Sequence, residues 1–520
     1  MADKNFNMNR RQFGLMAASA ASLSLLGGVH ALAEGAVDPN GTIQAAIAYG
    51  LSGTFDPLNA SGAVTLAANW HLFEALVDLD PVTREPYAAL AAELPSSDDG
   101  INYTIKLRDG AVFHDGSAVT AEDVVYSFER VLDPSSKSLF RSFVSFIDSV
   151  EAVAADTVLI KTKFPFSLFN SRLGSVKIVP KAIVEADPEG FGKNPIGSGP
   201  YKLVSAVPEV AVEFDRNEAY TGSRSAKSAK MVWNLISDPT ARVNALNAGT
   251  VAAIEDVPYI DVDAVGALHT LEQAQSFGLL FVMFDCAKPP FNDVRVRQAF
   301  MYALNMEKVV GTGMLGNATA ASSFLQEPHP NYNRASTVYD RDLEKAKALL
   351  AEAGDATPKI TLMSTDHGWV KDVAPIILES IQEAGFDATL DIGQSGGQYG
   401  KVDAGEMQVM IAPGDPSVFG NDPDILMQWF YGDNIWPTKR YRWGDTPEYA
   451  ELTKILTEAL QLTGEAQQAK WNEAFDILAE NVPLYPLLHR KLATAWDADQ
   501  LDSFAPVPTT GLSFLDVGVK

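Results

Sequence analysis

The sequence Leu107–Pro134, which reads LRDGAVFHDGSAVTAEDVVYSFERVLDP, decides the fold of this chain. Its first half predicts a strand that ends at Leu107 and a tight hairpin turn at the Asp-Gly pair that follows, because Gly110 tolerates the positive φ angles of such turns. Its second half predicts a helix, since Thr120 and Asp123 occupy the two positions of a capping box. Apolar residues at helical spacing give this helix one buried face, and the final Asp-Pro pair ends it.

Composition and charge exclude several classes of protein. The 520 residues correspond to about three folding units at about 150 residues each, and 47% of them are hydrophobic. A net charge of −26 excludes a general binder of nucleic acid or anionic membranes, because such proteins need clustered Lys and Arg. The single cysteine, Cys286, excludes an intrachain disulfide and any motif of paired cysteines.

The first 33 residues predict a signal peptide. The sequence Asn9–Phe13, NRRQF, precedes a weakly hydrophobic stretch of small residues, and Ala31–Ala33 offers the small side chains that a signal peptidase reads. The paired arginines resemble a twin-arginine signal, with an ordinary secretory signal as the alternative. No other stretch reaches about 18 uninterrupted apolar residues. We therefore expect export, cleavage near Ala33 and a mature protein in the periplasm.

Two further segments follow Leu107–Pro134 in a characteristic order. The sequence Asn194–Tyr201, NPIGSGPY, predicts a rigid turn, and Pro289–Ala299, PPFNDVRVRQA, predicts a helix start capped by Asn292. Together the three segments resemble the landmarks of the family 5 extracytoplasmic solute-binding proteins. These are the oligopeptide-, dipeptide- and nickel-binding components of ABC importers, and the resemblance covers most of the chain.

The resemblance implies an α/β fold, a two-lobed periplasmic-binding-protein clamp of the class II type with an extra subdomain in the first lobe. Lobe 1 is expected over residues 34–282, with the subdomain at about 80–185, and is rejoined by about 490–520. Lobe 2 is expected over residues 283–489. Between residues 340 and 392 the order of helix, glycine cap and strand occurs twice, which is typical of a parallel α/β layer.

Motifs of catalysis and metal binding are absent from the sequence. There is no HExxH, GxxxxGK[ST] or GxSxG, and Gly311–Gly316 satisfies GxGxxG only after a predicted helix, where the nucleotide-binding context is missing. The histidines have no partner at helical spacing. We therefore expect no enzyme, no catalytic residue, no metal and no cofactor. An exported enzyme or metal carrier on the same fold is the alternative.

The resemblance implies a ligand site between the lobes, near the carboxyl ends of strands. Three segments supply its candidate residues: the loop after the predicted first strand, the loop after the predicted strand Ile360–Met363, and Met407–Trp436. The ligand-binding candidates are, in the same order, Asn59 and Ser61; Asp366, His367 and Trp369; and Asp415, Trp429 and Trp436.

An acid in the third segment is the expected anchor of the ligand. Peptide-binding relatives carry an Asp here that pairs with the α-ammonium of the ligand, and this charge-assisted hydrogen bond rejects neutral solutes. Asp415 is the nearest match, although Ala412 replaces the Trp of the relatives, and Asp422 and Asp424 are the alternatives. We expect a monomer that binds a peptide or another amine-bearing, amino-acid-derived solute and delivers it to ABC permease subunits in the inner membrane. Nickel chelates, opine-like conjugates and oligosaccharides are the alternative ligands.

Overall fold

The structure is a computed structural model that describes residues 37–136 and 138–520. The predicted signal peptide at residues 1–33 lies outside the described residues, so the signal and its cleavage near Ala33 stay predictions. No helix within the described ranges has the length and the apolar character that a membrane crossing requires.

The described part of the chain contains both strands and helices. The strands, in chain order, are β1 (Thr42–Ile47), β2 (Val77–Leu79), β3 (Pro86–Ala88), β4 (Asn102–Lys106), β5 (Ile147–Ala154), β6 (Thr157–Thr162), β7 (Tyr201–Val207), β8 (Ala211–Arg216), β9 (Lys230–Leu235), β10 (Ala253–Ile254), β11 (Thr270–Phe284), β12 (Ala318–Ala320), β13 (Lys359–Thr365), β14 (Asp387–Gly393), β15 (Val409–Gly414), β16 (Leu484–Trp496), β17 (Leu501–Asp502) and β18 (Gly518–Val519). The helices are α1 (Ala63–Leu72), α2 (Ala121–Leu132), α3 (Phe169–Leu173), α4 (Lys181–Ala186), α5 (Pro188–Lys193), α6 (Pro239–Asn247), α7 (Val262–Gly266), α8 (Val294–Ala303), α9 (Met306–Lys308), α10 (Leu343–Glu352), α11 (Gly368–Glu383), α12 (Ser395–Asp403), α13 (Pro423–Tyr431), α14 (Pro447–Ala459) and α15 (Gly464–Asn481).

One large mixed sheet organises these elements. Among the described residues it has eleven strands, in the order β14-β13-β15-β11-β16-β10-β1-β9-β8-β7, with β12 beside β16. β13 pairs in parallel with β14 and β15, and β1 pairs in parallel with β9 and β10. Parallel strands with helical connections confirm the predicted α/β fold, including the parallel layer between residues 340 and 392.

Two long strands connect the two ends of this sheet. β11 and β16 pair antiparallel over their length, with a register shift between Gln275 and Leu279. β10 pairs with β16 on one side of this shift, and β15 pairs with β11 on the other side. The first six residues of β11 are mostly polar and lie partly in solvent, so only Leu279–Phe284 has the apolar pattern of a buried strand. The lobe boundaries and the subdomain at about 80–185 stay predictions.

The predicted helix in the segment Leu107–Pro134 is confirmed. α2 begins after Thr120, whose hydroxyl accepts a hydrogen bond from the backbone N–H of Asp123 at 3.3 Å. The Asp123 carboxylate accepts one from the backbone N–H of Thr120 at 3.0 Å, which completes the capping box. Val124 and Phe128 are fully buried, so the apolar face of the helix forms part of the core, as its spacing predicts.

The predicted hairpin at Gly110 is wrong. β4 pairs with β6 instead of with the residues that follow it, and the backbone N–H of Leu107 donates to the carbonyl of Asp156. The chain reverses further along, where Val112 forms a bridge with Ala118. Gly110 does adopt a positive φ of 72°, as expected for this dipeptide. The strand partner lies about fifty residues away in sequence, and a local turn pattern carries no information about it.

One predicted helix cap and one predicted loop are also wrong. Asp293, not Asn292, caps α8, because its carboxylate accepts the backbone N–H of Arg295 at 2.9 Å. α11 begins at Gly368, so Trp369 lies in the first helical turn instead of in a loop. Within the described ranges no side chain caps the start of α11, which agrees with the lack of a start signal in the sequence there.

The segment NPIGSGPY ends α1. The backbone N–H of Gly199 donates to the carbonyl of Leu72 at 3.0 Å, and a Cβ at Gly197 would lie 1.9 Å from that carbonyl oxygen. His114, from the segment Leu107–Pro134, is bonded through its backbone N–H to the carbonyl of Gly197. Two segments distant in sequence thus meet at the end of one helix, which stops at Leu72.

His71, one residue before the end of α1, is expected to make stability depend on pH. Its Nδ1–H donates to the carbonyl of Ala67 at 2.9 Å, and its Nε2 accepts the backbone N–H of Phe514 at 2.9 Å. Burial lowers the pKa of His71 to about 4, against 6.5 for an unperturbed histidine. Between pH 6.5 and about 4 this histidine is protonated in the unfolded chain and neutral in the folded chain. The free energy of unfolding therefore decreases as the pH drops, by up to about 1.4 kcal/mol per pH unit.

Urea unfolding of the protein and of His71→Gln at pH 7, 6 and 5 checks this expectation. The variant is less stable at pH 7, but its free energy of unfolding should fall less steeply as the pH drops. Equal slopes for the two proteins would show that His71 takes up its proton without cost to the fold.

Candidate ligand-binding cleft

Four chain segments that follow the carboxyl ends of strands approach one another beside the β11–β16 pair. Tyr49 follows β1, Asp256 follows β10, Trp369 follows β13 and Asp415 follows β15. The first two belong to the end of the sheet that contains β1, and the other two belong to the end that contains β13. In α/β folds such edges form ligand sites, so this position is the candidate cleft.

Arg490 on β16 connects three of these segments. Its guanidinium donates to the carboxylate of Asp256 and, at 2.9 Å, to the hydroxyl of Tyr49. The same group lies 4.9 Å from the ring centre of Trp369. Burial by itself raises the pKa of Asp256, but the charges of Arg490 and Arg242 together with the hydrogen bond from Arg490 outweigh this effect and lower it. Arg490 is therefore a buried and neutralised cation that holds both ends of the sheet together.

Asp415 presents a second charge, on the opposite side of Gly278 from Arg490. A Cβ at Gly278 would lie 3.6 Å from Oδ2 of Asp415 and 3.7 Å from Cγ of Arg490. Oδ2 accepts hydrogen bonds from the backbone N–H and the hydroxyl of Thr510, both at 2.8 Å, and from the hydroxyl of Thr509 at 3.2 Å. All these donors are neutral, so the carboxylate keeps its net charge.

The alternative anchors Asp422 and Asp424 are already paired. Arg172 of α3 donates from Nε to Asp422 at 3.0 Å and from Nη2 to Asp424 at 2.7 Å. Burial raises the pKa of Asp424, and the Arg172 guanidinium opposes this rise. Among the described residues Asp415 forms no ion pair, in contrast to Asp422 and Asp424. Of these three acids, Asp415 is therefore the one without an ion pair in the described part of the chain.

The structure brings some of the predicted site residues together and separates others. Trp369, Asp415 and the half-buried His367, whose ring centre lies 5.7 Å from that of Tyr49, surround the cleft. Asn59, Ser61 and Asp366 are exposed, and Trp429 packs against Phe419 with ring centres 4.9 Å apart. Trp436 is buried against Phe281 and Phe430, where it serves the core.

Sequence reasoning missed several residues of the cleft. Tyr49 and Asp256 directly follow strands, and this position was the available signal for them. Arg490 lies in the middle of β16, and no local motif marks it as a site residue. Thr509 and Thr510 reach Asp415 from 94 and 95 positions away, and no local pattern marks them.

A comparison with protein families identifies the chain. Residues 85–437 match the model of the bacterial extracellular solute-binding proteins, family 5 middle. The chain belongs to this family. The family 5 resemblance of the three sequence segments is thereby confirmed. The chain that contains the cleft beside Asp415 is a member of a family of solute-binding proteins.

Family 5 relatives share nearly the whole length of the chain. The glutathione-binding protein GsiB of Escherichia coli K12 is 26% identical over 479 residues, which are 90% of this chain and 92% of GsiB. The structure of AgaA from A. tumefaciens R10 in complex with agropinic acid has a TM-score of 0.83 at 23% identity and covers 92% of this chain and 99% of its own. The periplasmic binding protein DppA from Helicobacter pylori, in complex with the peptide STSA, has a TM-score of 0.81 at 22% identity, with coverage of 92% and 98%. These structures confirm the two-lobed periplasmic-binding-protein fold.

Proposed function

We propose that the protein is the periplasmic receptor of an ABC importer and binds a peptide or another amine-bearing, amino-acid-derived solute between its lobes. It then delivers the solute to permease subunits in the inner membrane, as a monomer and without catalytic turnover. The observation that carries this proposal is the carboxylate of Asp415, which lies in the cleft with neutral donors and without an ion pair among the described residues.

An ammonium group is the natural partner of this carboxylate. The hydroxyls of Thr509 and Thr510 and the N–H of Thr510 fill the lone pairs of Oδ2, and Ser417 occupies Oδ1. A solute ammonium that replaces hydroxyl donors gains charge-assisted hydrogen bonds, which are about twice as strong as neutral ones. We therefore expect Thr509 and Thr510 to leave Asp415 when the solute binds.

The ligands named for the relatives support a solute derived from amino acids. GsiB is named for glutathione, AgaA is in complex with agropinic acid, and DppA is in complex with a peptide. NikZ from Campylobacter jejuni, in complex with Ni(L-His), has a TM-score of 0.77. Peptides, glutathione, opines and nickel–histidine therefore make up the panel of compounds to test. The predicted signal peptide supports a periplasmic location.

Replacement of Asp415 by Asn tests the proposal. Ligand-free protein, prepared by unfolding and refolding, should be stabilised by at least one panel member by about 2.7 kcal/mol at 100 times its Kd. Asp415→Asn should lower the affinity for that compound about 10- to 150-fold, because a hydrogen bond to a charged group contributes about 1.5–3 kcal/mol. Titration calorimetry measures both affinities. An N-acetylated analogue of the compound should bind the unmodified protein with a similar loss of affinity.

The matched control is Asp109→Asn, at a side chain that is 96% exposed. It should bind like the unmodified protein. Full affinity in Asp415→Asn would exclude Asp415 as the ammonium anchor, and a panel without any binder would contradict the proposed class of solute.

A further inference from the structure

Arg84 lies at the tip of the hairpin between β2 and β3 in an unusual backbone conformation. The turn is held by Asp80, whose carboxylate accepts the backbone N–H groups of Val82 and Thr83 at 2.9 and 2.7 Å. Arg84 has a φ of 66°, a left-handed conformation that glycine adopts freely and that residues with a side chain avoid. Such conformations cluster at ligand clamps, because the surrounding structure has to hold them.

The side chain of Arg84 extends from this hairpin to the other side of the cleft. Its guanidinium donates to the backbone carbonyl of Ser417, two residues after Asp415. Burial lowers the pKa of Arg84 to about 10, and the negative charge of Asp415 opposes this effect. Arg84 therefore remains a cation at neutral pH, close to the carboxylate of Asp415.

Arg84 is not neutralised by a carboxylate, unlike the cations around it. Arg108 pairs with Glu74, Arg224 pairs with Asp80 and Asp516, and Arg172 pairs with two acids of α13 and its cap. Among the described residues, Arg84 has no ion pair; a neutral carbonyl oxygen is its hydrogen-bond acceptor. A cation and an anion, each without an ion pair to any residue that the structure describes, thus lie beside each other across one cleft.

A cavity of about 70 Å³ lies between the two chain segments that carry these residues. The hairpin of Arg84 contributes one wall, and Val418 and Phe419, which follow Asp415, contribute another. Trp70 and Phe140 line it as well, so most of its wall is apolar or aromatic. Water needs only about 10–15 Å³ of such space, and a dry cavity of about 150 Å³ holds benzene, so this one has room for a short aliphatic group.

We propose that Arg84 binds a carboxylate of the solute whose ammonium binds Asp415. The guanidinium offers two parallel N–H donors that match the two oxygens of a carboxylate, which is a stronger acceptor than the Ser417 carbonyl that it replaces. The solute is then a short zwitterion with an ammonium, a carboxylate and a small apolar group at the cavity. This inference rests on the proposed function, and it selects short peptides and opine-like acids over sugars and long peptides.

Arg84→Gly is the decisive variant, because glycine accepts the left-handed backbone without strain. The variant should unfold at the same or a higher temperature than the unmodified protein, so a loss of binding cannot come from a damaged fold. Glu209→Gly is the matched control, since Glu209 has a similar φ of 60° in the exposed turn between β7 and β8. It should gain stability in the same way and bind normally.

The probes are Ala-Leu, glutathione and mannopinic acid, each with its carboxylates free or converted to amides, and calorimetry gives the affinities. The probe that binds most tightly should carry a free carboxylate. Its amide should bind the unmodified protein with about 10- to 100-fold lower affinity. Arg84→Gly should bind both forms alike, at the affinity of the amide. If the amide binds as well as the acid, or if Arg84→Gly keeps the preference for the acid, the role of Arg84 is refuted while the ammonium site at Asp415 stands. If Asp415→Asn also binds every probe normally, or no probe binds, both proposals fail.

Discussion

Replacing Arg172 with methionine should lower the free energy of unfolding by about 3–5 kcal/mol, because it leaves buried carboxylates without their cation. Arg172 is 1% exposed and Asp424 is fully buried, so water cannot replace the lost partner. Urea unfolding at pH 7 measures the effect. This deficit should shrink at lower pH. Burial raises the pKa of Asp424 in the folded state, so its carboxyl group becomes protonated and the unpaired buried charge disappears.

Two controls separate this effect from a general loss of packing. Arg141→Met removes the ion pair with Asp433, which is 81% exposed, and should cost less than about 1 kcal/mol. Adding Asp422→Asn and Asp424→Asn to Arg172→Met should restore much of the stability, since Asn still caps α13 and no unpaired charge remains buried. A triple variant as unstable as the single one would mean that Arg172 acts through its packing.

Gly197→Ala should cost about 3 kcal/mol or more, or prevent folding altogether, since its Cβ would lie 1.9 Å from the carbonyl oxygen of Leu72. The obstacle is backbone at the end of α1, so no side-chain rotation relieves it. The yield of soluble protein and the urea midpoint measure the loss. Gly311→Ala is the matched control, because no atom lies within 4 Å of the Cβ it would add. Equal midpoints for the two variants would contradict the close approach of NPIGSGPY to α1.

Local features of the fold were predictable from the sequence. The capping box of Thr120 and Asp123 needs only residues three positions apart, and the predicted helix forms as expected. The glycine caps and strands between residues 340 and 392 likewise depend on neighbours in the chain. The hairpin at Gly110 failed because the partner of β4 comes from β6, and pairing over that distance depends on the whole fold.

The candidate site was less accessible to sequence reasoning than the fold. The choice between Asp415 and the pair Asp422 and Asp424 depends on Arg172, which lies about 250 positions away. Arg84 was not among the predicted site residues, because its positive φ and its hydrogen bond to Ser417 exist only in the folded chain. Whether a charged side chain is already paired depends on partners from distant segments of the chain, which a local sequence pattern does not show.

The contacts between residues 140–172 and 419–424 bear on how quickly a solute is captured. The rings of Phe140 and Phe143 lie 5.1 and 5.5 Å from that of Phe419, and Arg172 holds Asp422 and Asp424 close by. These contacts join side chains of the chain itself, so on the proposed function we expect them to hold the lobes together whether or not a solute is bound. Apparent affinity would then scale with the fraction of molecules that are open at any moment. We expect spontaneous opening to limit association, and the same contacts to lengthen the residence time of a solute once the protein has closed around it.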